Sequence, residues 1–590
     1  MTLLSITDDR FAALDWLVVL AYFAFTTVVG ARLAGRQQTI RDFFLGGRKL
    51  PWYAVSGSII ATEISAVTFV GVPATVYFGN WTYLQLGFGA ILAKIIVGCV
   101  FVPAFYEREI YSPYDYMGRW LGPDAKRVTT GLFVVGQLLA QGVRLYLTAM
   151  VLAVVSGGRL PLATSVWVIG AVAVGWTLLG GIATVIWTDV LLFLVFIAGG
   201  AVSVAYASHL IPGGFEEVLH AGWAAGKFRM FDLSADPSLD FTLWAGLLAC
   251  TVFNLNMYGT DQLIAQRMFC CRSARTARWA MISSSAGLLV AALMMLVGVA
   301  LFAYHARFPL SGADAAAVAE QGDRLFPIFI VRTLPAGLTG LLVAGIFAAA
   351  ISSLDSILAA LSQTTVSAVY RPWRQWRSKG AEHPPHSVPD SAGEAGRELR
   401  ASRLLVVAWG FALCGMAHLA QRASAFYPDI LRLALAMAGY TGGALLAGFM
   451  LAFLRVRVDG SGLLWAAPVS VLTVFAVAWH QPWSHWVCWI GAGLLVACWC
   501  GRLIGRPRPG DLARSAWLLL ALGAMLWINH HGYWTSVDAD TGQLVQHSIA
   551  WPWFVLIGFA AAFPLGYLLG EPRAVQPCSA GEQRCSETDA

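Results

Sequence analysis

Long apolar runs recur along nearly the whole chain, and most are about as long as a segment that crosses a lipid bilayer. A membrane-spanning helix needs about 20 mainly apolar residues. The sequence supplies many such runs, since 58% of its 590 residues are hydrophobic and only 12% are charged. Because backbone polar groups in lipid must be hydrogen-bonded within the protein, such spans are helices. The sequence therefore predicts an all-α polytopic membrane protein.

The charge between the apolar runs predicts which loops face the cytoplasm. Basic residues cluster at 32 to 49, 119 to 127, 267 to 278, 371 to 379 and 502 to 514, and basic loops are typically cytoplasmic. We interpret the 267 to 278 cluster as such a topology signal. The net charge of +6 does not indicate nucleic-acid binding, because the basic residues are dispersed among these loops.

This pattern predicts about fifteen spans, with the N-terminus outside and the C-terminus inside. The predicted spans are 14 to 34, 51 to 77, 80 to 106, 126 to 156, 160 to 179, 183 to 207, 241 to 265, 279 to 305, 337 to 370, 401 to 420, 426 to 454, 461 to 480, 485 to 503, 514 to 531 and 550 to 570. The second to sixth spans and the seventh to eleventh start on opposite sides, as expected of an inverted repeat of five plus five helices.

The expected organisation therefore has six parts. These are an extracellular N-terminus with the first span (1 to 40), a first inverted repeat (41 to 207), an extracellular loop (208 to 240), a second inverted repeat (241 to 455), additional C-terminal helices (456 to 572) and a cytoplasmic tail (573 to 590). We expect the protein to act as a monomer in the lipid bilayer of a bacterial inner membrane.

The second predicted span carries small, polar and acidic residues in its middle, from Ser56 to Thr68, followed by Gly71-Val72-Pro73. Such a helix is easily broken. An unwound turn frees backbone carbonyls, which together with serine hydroxyls can coordinate a sodium ion. The alternative is that small residues only allow close helix packing.

The ninth predicted span places Ala349, Ser352, Ser353 and Ser356 on one helical face, at i, i+3, i+4 and i+7. Serine hydroxyls can be satisfied within their own helix. Asp355, however, is a carboxylate inside an apolar segment, and it needs a cation or a proton there.

The sixth predicted span adds a second intramembrane acid, Asp189, a few residues after Gly180-Gly181. It could bind an ion, or it could be a structural acid near the start of a helix.

Together these motifs resemble those of the sodium:solute symporter family, over residues 14 to 455. The matching stretches are Asp42-Phe43-Phe44-Leu45-Gly46-Gly47-Arg48, Trp187-Thr188-Asp189, Tyr258-Gly259-Thr260-Asp261-Gln262, Ala349 to Ser356, and Tyr440-Thr441-Gly442-Gly443. The resemblance implies a LeuT-type fold and a transporter rather than an enzyme. It would import a small organic solute with co-transported sodium by alternating access.

The resemblance also implies a sodium site between the second and ninth spans. Its ligands would be the carbonyls of Ala61, Ile64 and Ala349 and the hydroxyls of Ser352 and Ser353. Similarity to sodium/sialic acid transporters implies a second sodium site at Asp189, Ser352, Asp355 and Ser356. Asp355 stands where those transporters have a serine, so two carboxylates there could bind an ion or share a proton.

Arg144 is the leading candidate for solute binding. An arginine within a span needs an anion or a water-filled cavity, and its guanidinium fork suits a carboxylate. In the sialic acid transporters that this region resembles, an arginine of the corresponding helix holds the substrate carboxylate. The alternative is a structural ion pair with Glu63 or another acid.

Further polar side chains could line the solute pocket. They are Thr62, Glu63, Ser65 and Thr68 on the second span, Tyr83 and Gln85 on the third, Gln141 on the fourth, and Asn254 and Asn256 on the seventh. Sugar-transporting relatives carry Gln and Asn where this chain has Thr68 and Glu63, which disfavours a simple hexose. A carboxylate or acidic sugar is expected. A neutral sugar or polyol, and a non-transporting solute sensor of the same fold, remain alternatives.

Overall fold

A computed structural model describes residues 11–34, 46–107, 112–179, 182–377, 392–479, 482–505, 507–531, 535–537, 544–546 and 548–572. Residues 42 to 45 of the first family motif and the predicted tail at 573 to 590 lie outside these ranges. Within them the protein is almost entirely helical. The strands found there are β1 (Thr535–Val537) and β2 (Leu544–Gln546), which pair antiparallel.

The α-helices follow one another along the chain, with short 3-10 and π-helical turns between some of them. They are α1 (Ala13–Ala34), α2 (Trp52–Glu63), α3 (Ala66–Phe78), α4 (Leu86–Ile96), α5 (Val102–Tyr106), α6 (Pro113–Leu121), α7 (Pro123–Val155), α8 (Leu162–Leu179), α9 (Ile182–Leu210), α10 (Gly214–Ala224), α11 (Cys250–Gly259), α12 (Gln262–Phe269), α13 (Ala274–Ser283), α14 (Gly287–Arg307), α15 (Gly312–Glu320), α16 (Leu325–Thr333), α17 (Leu338–Thr365), α18 (Arg371–Arg377), α19 (Ala392–Ala423), α20 (Ile430–Phe453), α21 (Leu463–Ala478), α22 (Pro482–Gly505), α23 (Asp511–His531) and α24 (Phe554–Leu569).

Among the described residues, 11 helical segments are long and apolar enough to cross a membrane, or 12 if the bent pair α2 and α3 counts as one span. The predicted spans 14 to 34 and 160 to 179 coincide with the shorter apolar stretches Ala13–Val29 and Leu162–Leu178. The predicted span 241 to 265 coincides with α11 and part of α12, which are separated by a break. The count of fifteen spans and the inverted repeat therefore stay predictions.

The second predicted span is broken, as its polar residues indicated. Helices α2 and α3 meet at 57°, and the break lies at Ile64 and Ser65. The Ser65 N–H donates to the Glu63 carbonyl at 3.1 Å, while the Ser65 hydroxyl accepts the Val67 N–H at 3.3 Å and caps α3. Serine thus offers the backbone an alternative to helical hydrogen bonds, so the helix ends and restarts here.

A second break separates α11 from α12. Helix α11 ends at Gly259, and the Asp261 carboxylate caps α12 by accepting the Leu263 N–H at 2.9 Å. An aspartate at this position favours a new helix start. The predicted seventh span therefore contains two separate helices, α11 and α12, rather than one continuous helix.

Helix α17 lies in the centre of the packing, because most of its residues are buried. It packs against both halves of the first broken helix and against α1, α7, α8, α9 and α19. The Asp15 carboxylate on α1 accepts the N–H groups of Gly337 and Gly340, at 2.7 and 2.8 Å, and so satisfies the start of α17. Its serine face is therefore held beside the break between α2 and α3.

Candidate solute and sodium sites

The break between α2 and α3 frees backbone oxygens beside the buried serine face of α17. The Ser65 N–H bonds to Glu63, so the Ala61 carbonyl lacks the donor that a continuous helix would supply. The Ser353 hydroxyl is buried and has no hydrogen-bond partner among the described residues. Unpaired oxygens of this kind are costly in a membrane protein unless they line a cavity or bind an ion. They fit the ligand set expected of a sodium ion.

The five residues of the predicted first site therefore lie on two elements that pack together. Ala61 and Ile64 lie at the break, and Ala349, Ser352 and Ser353 lie on α17. Ser352 differs from Ser353, since its hydroxyl donates to Asp189. This sodium site stays a prediction, and Ser353 is the residue whose hydroxyl is unsatisfied.

Asp189 binds the guanidinium of Arg267. Asp189 is fully buried, and Arg267 is 1% exposed. Arg267 donates to Asp189 at 3.1 Å, to the Ser58 hydroxyl at 2.9 Å, to the Ser356 hydroxyl at 3.0 Å and to the Leu263 carbonyl at 2.9 Å. The Ser58 hydroxyl also donates to Asp189, at 2.5 Å. The guanidinium therefore lies among residues predicted to hold a second sodium ion.

The interpretation of Arg267 as part of a basic topology signal was wrong. Arg267 lies on α12, where it is buried against residues of α2, α9 and α17, instead of in a loop. Its position only six residues after a helix-capping aspartate was the available signal. Asp355 is buried beside this cluster and accepts from the Ser356 hydroxyl at 3.2 Å, but it has no ion pair among the described residues. The second sodium site stays a prediction.

Glu63 is already bound to the protein at both carboxylate oxygens. Lys94 donates to one oxygen at 2.7 Å, and the Tyr258 hydroxyl donates to the other at 2.6 Å. Lys94 is 2% exposed and also donates to the Ser284 carbonyl at 3.0 Å. Sequence reasoning missed Lys94, although a single lysine within an apolar span was the signal for a buried ion pair.

Arg144, on α7, has no hydrogen bond or ion pair from its guanidinium among the described residues. The alternative of an ion pair with Glu63 is wrong, because Lys94 and Tyr258 occupy that carboxylate. Asp261, at the second helix break, interacts with Arg144 electrostatically without a direct ion pair. The Asp261 carboxylate instead accepts a hydrogen bond from the Gln137 amide at 2.5 Å. Arg144 is thus a cation beside a helix break with no bound anion of its own.

Gln141 is the other pocket candidate with a free polar group. It is 2% exposed, its amide nitrogen donates to Gln137 at 3.3 Å, and its amide oxygen has no partner among the described residues.

The remaining pocket candidates are mostly satisfied by their own helix or by a neighbouring loop. Thr62 bonds the Ser58 carbonyl, Ser65 caps α3, Asn254 bonds the Cys250 carbonyl, and Asn256 accepts from the Thr260 hydroxyl. Gln85 bonds Thr82, Phe241 and Asp232, and the Tyr83 ring packs edge-on against Phe241. Thr68 is partly buried. The structure therefore does not bring these residues together as one set of free polar groups.

The family model for the sodium:solute symporter family matches residues 43–384, which is more than half of the chain. The chain belongs to this family. It is accordingly a sodium-coupled, multi-pass membrane transporter and not an enzyme, and the resemblance seen in its motifs is confirmed.

Several characterised symporters are similar over most of their length. The sodium-dependent multivitamin transporter of Oryctolagus cuniculus is 26% identical over 584 residues, covering 96% of this chain and 85% of the relative. Sodium-coupled monocarboxylate transporter 1 of Homo sapiens is 28% identical over 491 residues, covering 82% and 74%. The human sodium/iodide cotransporter is 27% identical over 372 residues, covering 62% and 57%.

The fold matches a solved symporter of known solute. The structure of a substrate-bound, outward-open Na+-coupled sialic acid symporter aligns with a TM-score of 0.70, at 21% identity, and covers 95% of this chain and all of that one. The match supports the predicted LeuT-like fold. These relatives of the symporter come from vertebrates, so the bacterial inner membrane stays a prediction.

Proposed function

We propose that this symporter imports a small organic carboxylate together with sodium, and that Arg144 binds the solute carboxylate. The observation that carries the proposal is that the Arg144 guanidinium has no anionic partner among the described residues, while Glu63 is bound to Lys94 and Tyr258. A charged group within a span is costly unless it meets an opposite charge or water. A solute carboxylate would supply that charge only when it binds.

The relatives support an anionic solute. Two of them are named for the transport of monocarboxylates and of iodide, both of which are anions at neutral pH. A neutral sugar or polyol would leave the Arg144 guanidinium without a counter-charge in the bound state. The carboxylate is therefore the better match for this chain.

The proposed sodium site explains how the ion and the solute would be coupled. The carbonyl of Ala61 and the hydroxyl of Ser353 belong to elements that meet at the break between α2 and α3. A sodium ion there would fix the break at Ile64 and Ser65 against α17, which also packs against α7, the helix that carries Arg144. Coupling of this kind is reciprocal, so the factor by which sodium raises solute affinity is the factor by which solute raises sodium affinity.

Alternating access would then follow from movement of one set of helices against the other. We propose that residues 41 to 207 and 241 to 455 form the two inverted repeats, with the sites between their broken helices. Sodium and solute bound in the outward-facing state would be released inside when the cytoplasmic path opens. This function requires only a monomer within the lipid bilayer.

The test is uptake into proteoliposomes that contain the purified protein. Radiolabelled acetate, propionate, lactate and sialic acid are offered with an inward sodium gradient, with equal sodium on both sides and with potassium in place of sodium. We expect concentrative uptake of at least one carboxylate with the gradient alone, and none of propionamide, the neutral analogue of propionate. Uptake of glucose or mannitol but of no carboxylate would contradict the proposal, and binding without uptake would point to a sensor.

A further inference from the structure

The buried amide oxygen of Gln141 is a hydrogen-bond acceptor that the protein does not satisfy. Gln141 is 2% exposed, and this oxygen has no partner among the described residues. A buried acceptor without a donor costs free energy. Most buried polar atoms in native proteins are paired, so each exception calls for a physical explanation.

The identity of the free atom as oxygen follows from a chain of hydrogen bonds. Asp261 is a carboxylate that already caps a helix, so it can only accept, and Gln137 must present its NH₂ group to it at 2.5 Å. Gln137 then turns its oxygen towards Gln141, which must donate its own NH₂ group, at 3.3 Å. Flipping either amide would place two donors or two acceptors face to face. The atom that Gln141 leaves unpaired is therefore an acceptor.

Gln141 lies one helical turn from Arg144, the arginine that has no bound anion among the described residues. Gln141 and Arg144 are three residues apart on α7, so they share one face of the helix, with about 5–6 Å between their Cβ atoms. Helical side chains tilt towards the N-terminus, so the turn that carries Gln141 is within reach of a side chain as long as that of Arg144. Asp261, bonded to Gln137 on the same stripe, places this face beside the break between α11 and α12.

We propose that the solute is a hydroxycarboxylate, whose carboxylate binds Arg144 and whose hydroxyl, on the carbon next to the carboxylate, donates to the amide oxygen of Gln141. The inference rests on the proposed function and specifies the solute class of the same site. A hydroxyl has one donor, and a single acceptor satisfies it. An ammonium group has three donors and a charge, so a lone amide oxygen would leave most of its hydrogen bonds unmade.

The test compares solutes that differ only at the carbon next to the carboxylate. Lactate carries a hydroxyl there, propionate carries hydrogen, pyruvate carries a carbonyl that can only accept, and alanine carries an ammonium. Each solute is tested as a competitor of labelled lactate in proteoliposomes. The apparent inhibition constants of propionate, pyruvate and alanine should be about 5- to 50-fold above that of unlabelled lactate, the range expected when a buried acceptor has no donor.

The Gln141→Met variant keeps the length of the side chain and removes the acceptor. We expect it to bring the KM values of lactate and propionate within about twofold of each other, mainly by weakening lactate, with sodium dependence unchanged. Gln363→Met is the matched control. Gln363 also has a buried amide oxygen without a partner among the described residues, but it lies about two turns beyond the serine face of α17. The Gln363→Met variant should keep the wild-type ratio between the KM values of propionate and lactate.

The outcomes separate this inference from the proposed function. Equal KM values for lactate and propionate in the wild type, with sodium-driven uptake of both, would overturn the hydroxyl assignment and leave the carboxylate transporter standing. The assignment would also be wrong if Gln141→Met weakened both solutes by the same factor, or if alanine competed as well as lactate. Absence of sodium-driven uptake of every carboxylate would instead remove the proposed function, and this inference with it.

Discussion

Arg267 and Arg144 lie in the same helical bundle, yet the protein treats their charges in opposite ways. Arg267 is surrounded by acceptors: one carboxylate, two hydroxyls and one carbonyl, each within 3.1 Å. Arg144 has none of these among the described residues. Since an arginine stays charged in proteins, the first charge is paired directly within the fold, whereas the second has no direct ion pair among the described residues.

The difference separates a cation with several partners in the fold from one without a direct partner among the described residues. Arg267 draws acceptors from three other elements, with Asp189 on α9, Ser58 on α2 and Ser356 on α17, and so joins α12 to these three helices. Asp261, the acid that interacts electrostatically with Arg144, accepts from Gln137 and from the start of α12. Among the described residues no carboxylate therefore pairs directly with Arg144, which is the basis of the proposal that a solute carboxylate binds there.

The largest effect is expected on removing Arg267. Arg267→Ala leaves the Asp189 carboxylate fully buried without its cation, and breaking a buried pair from one side typically costs about 3–5 kcal/mol. We expect a clear fall in the melting temperature of the purified protein in detergent, and little transport. The comparison between the two arginines would fail if this variant melted like the wild type.

A double variant separates loss of pairing from loss of packing. Replacing both partners by apolar residues of similar size is often close to neutral. Arg267→Met combined with Asp189→Leu should therefore recover much of the melting temperature lost in Arg267→Ala. If the double variant is no more stable than the single one, Arg267 stabilises the bundle through its other contacts rather than through Asp189.

Substitution of Arg144 should affect transport without affecting stability. Arg144→Lys keeps the charge but loses the bidentate fork, and charge-assisted hydrogen bonds contribute about 1.5–3 kcal/mol. We expect the KM for a carboxylate solute to rise roughly 10- to 100-fold, while sodium binding and the melting temperature stay nearly unchanged. Arg144→Met should also fold normally, because no hydrogen bond of its guanidinium to the described residues is lost.

Two results would contradict this assignment of Arg144. An unchanged solute KM in Arg144→Lys would show that the guanidinium does not bind the solute. A fall in melting temperature as large as that of Arg267→Ala would show that Arg144 has a structural partner, and that the two arginines do not differ as described.

The same contrast between paired and unpaired groups applies to two neighbouring serines of the proposed sodium site. Ser353 has an unsatisfied hydroxyl, whereas Ser352 donates to Asp189. Ser353→Ala should raise the sodium concentration for half-maximal uptake about 3- to 10-fold, as expected for one lost ligand, without loss of stability. Ser352→Ala should raise it as well and also lower the melting temperature. Unchanged sodium dependence in both folded variants would mean that the site is assigned wrongly.

The sequence predicted the parts of this molecule that follow from local chemistry. Apolar runs predicted the helices, and the polar residues between Ser56 and Thr68 predicted a break that lies at Ile64 and Ser65. Serine spacing on the ninth span placed four residues on one face. Each of these depends on residues close together in the chain, and for such features helical geometry is enough.

The sequence could not predict which charged residues pair. The sequence analysis offered Arg144 as the cation for Glu63, but the structure pairs Glu63 with Lys94, which lies 31 positions away. Arg267 looked like a cytoplasmic loop residue, but it lies on α12 and pairs with Asp189, 78 positions away. Tertiary packing decides such pairs. That Arg144 has no direct ion pair among the described residues could therefore be recognised only from the structure.

The last and smallest effect concerns the number of sodium ions, and it tests whether Arg267 takes the place of a second one. A sodium ion at Asp189 would lie close to the guanidinium, and two unit charges about 4 Å apart repel by roughly 4 kcal/mol at an effective dielectric constant of 20. If Arg267 stays in place, uptake should rise with sodium with a Hill coefficient near one, and Asp355→Asn should not change it. Asp355 lies next to Ser356 without an ion pair among the described residues, so the Asp355→Asn variant removes a candidate sodium ligand while keeping the size of the side chain.

A wild-type Hill coefficient near two that falls to one in both Asp355→Asn and Asp189→Asn would show instead that a second sodium ion binds there. The guanidinium would then have to leave Asp189 during transport, and Arg267 would be a moving part of the cycle rather than a fixed one.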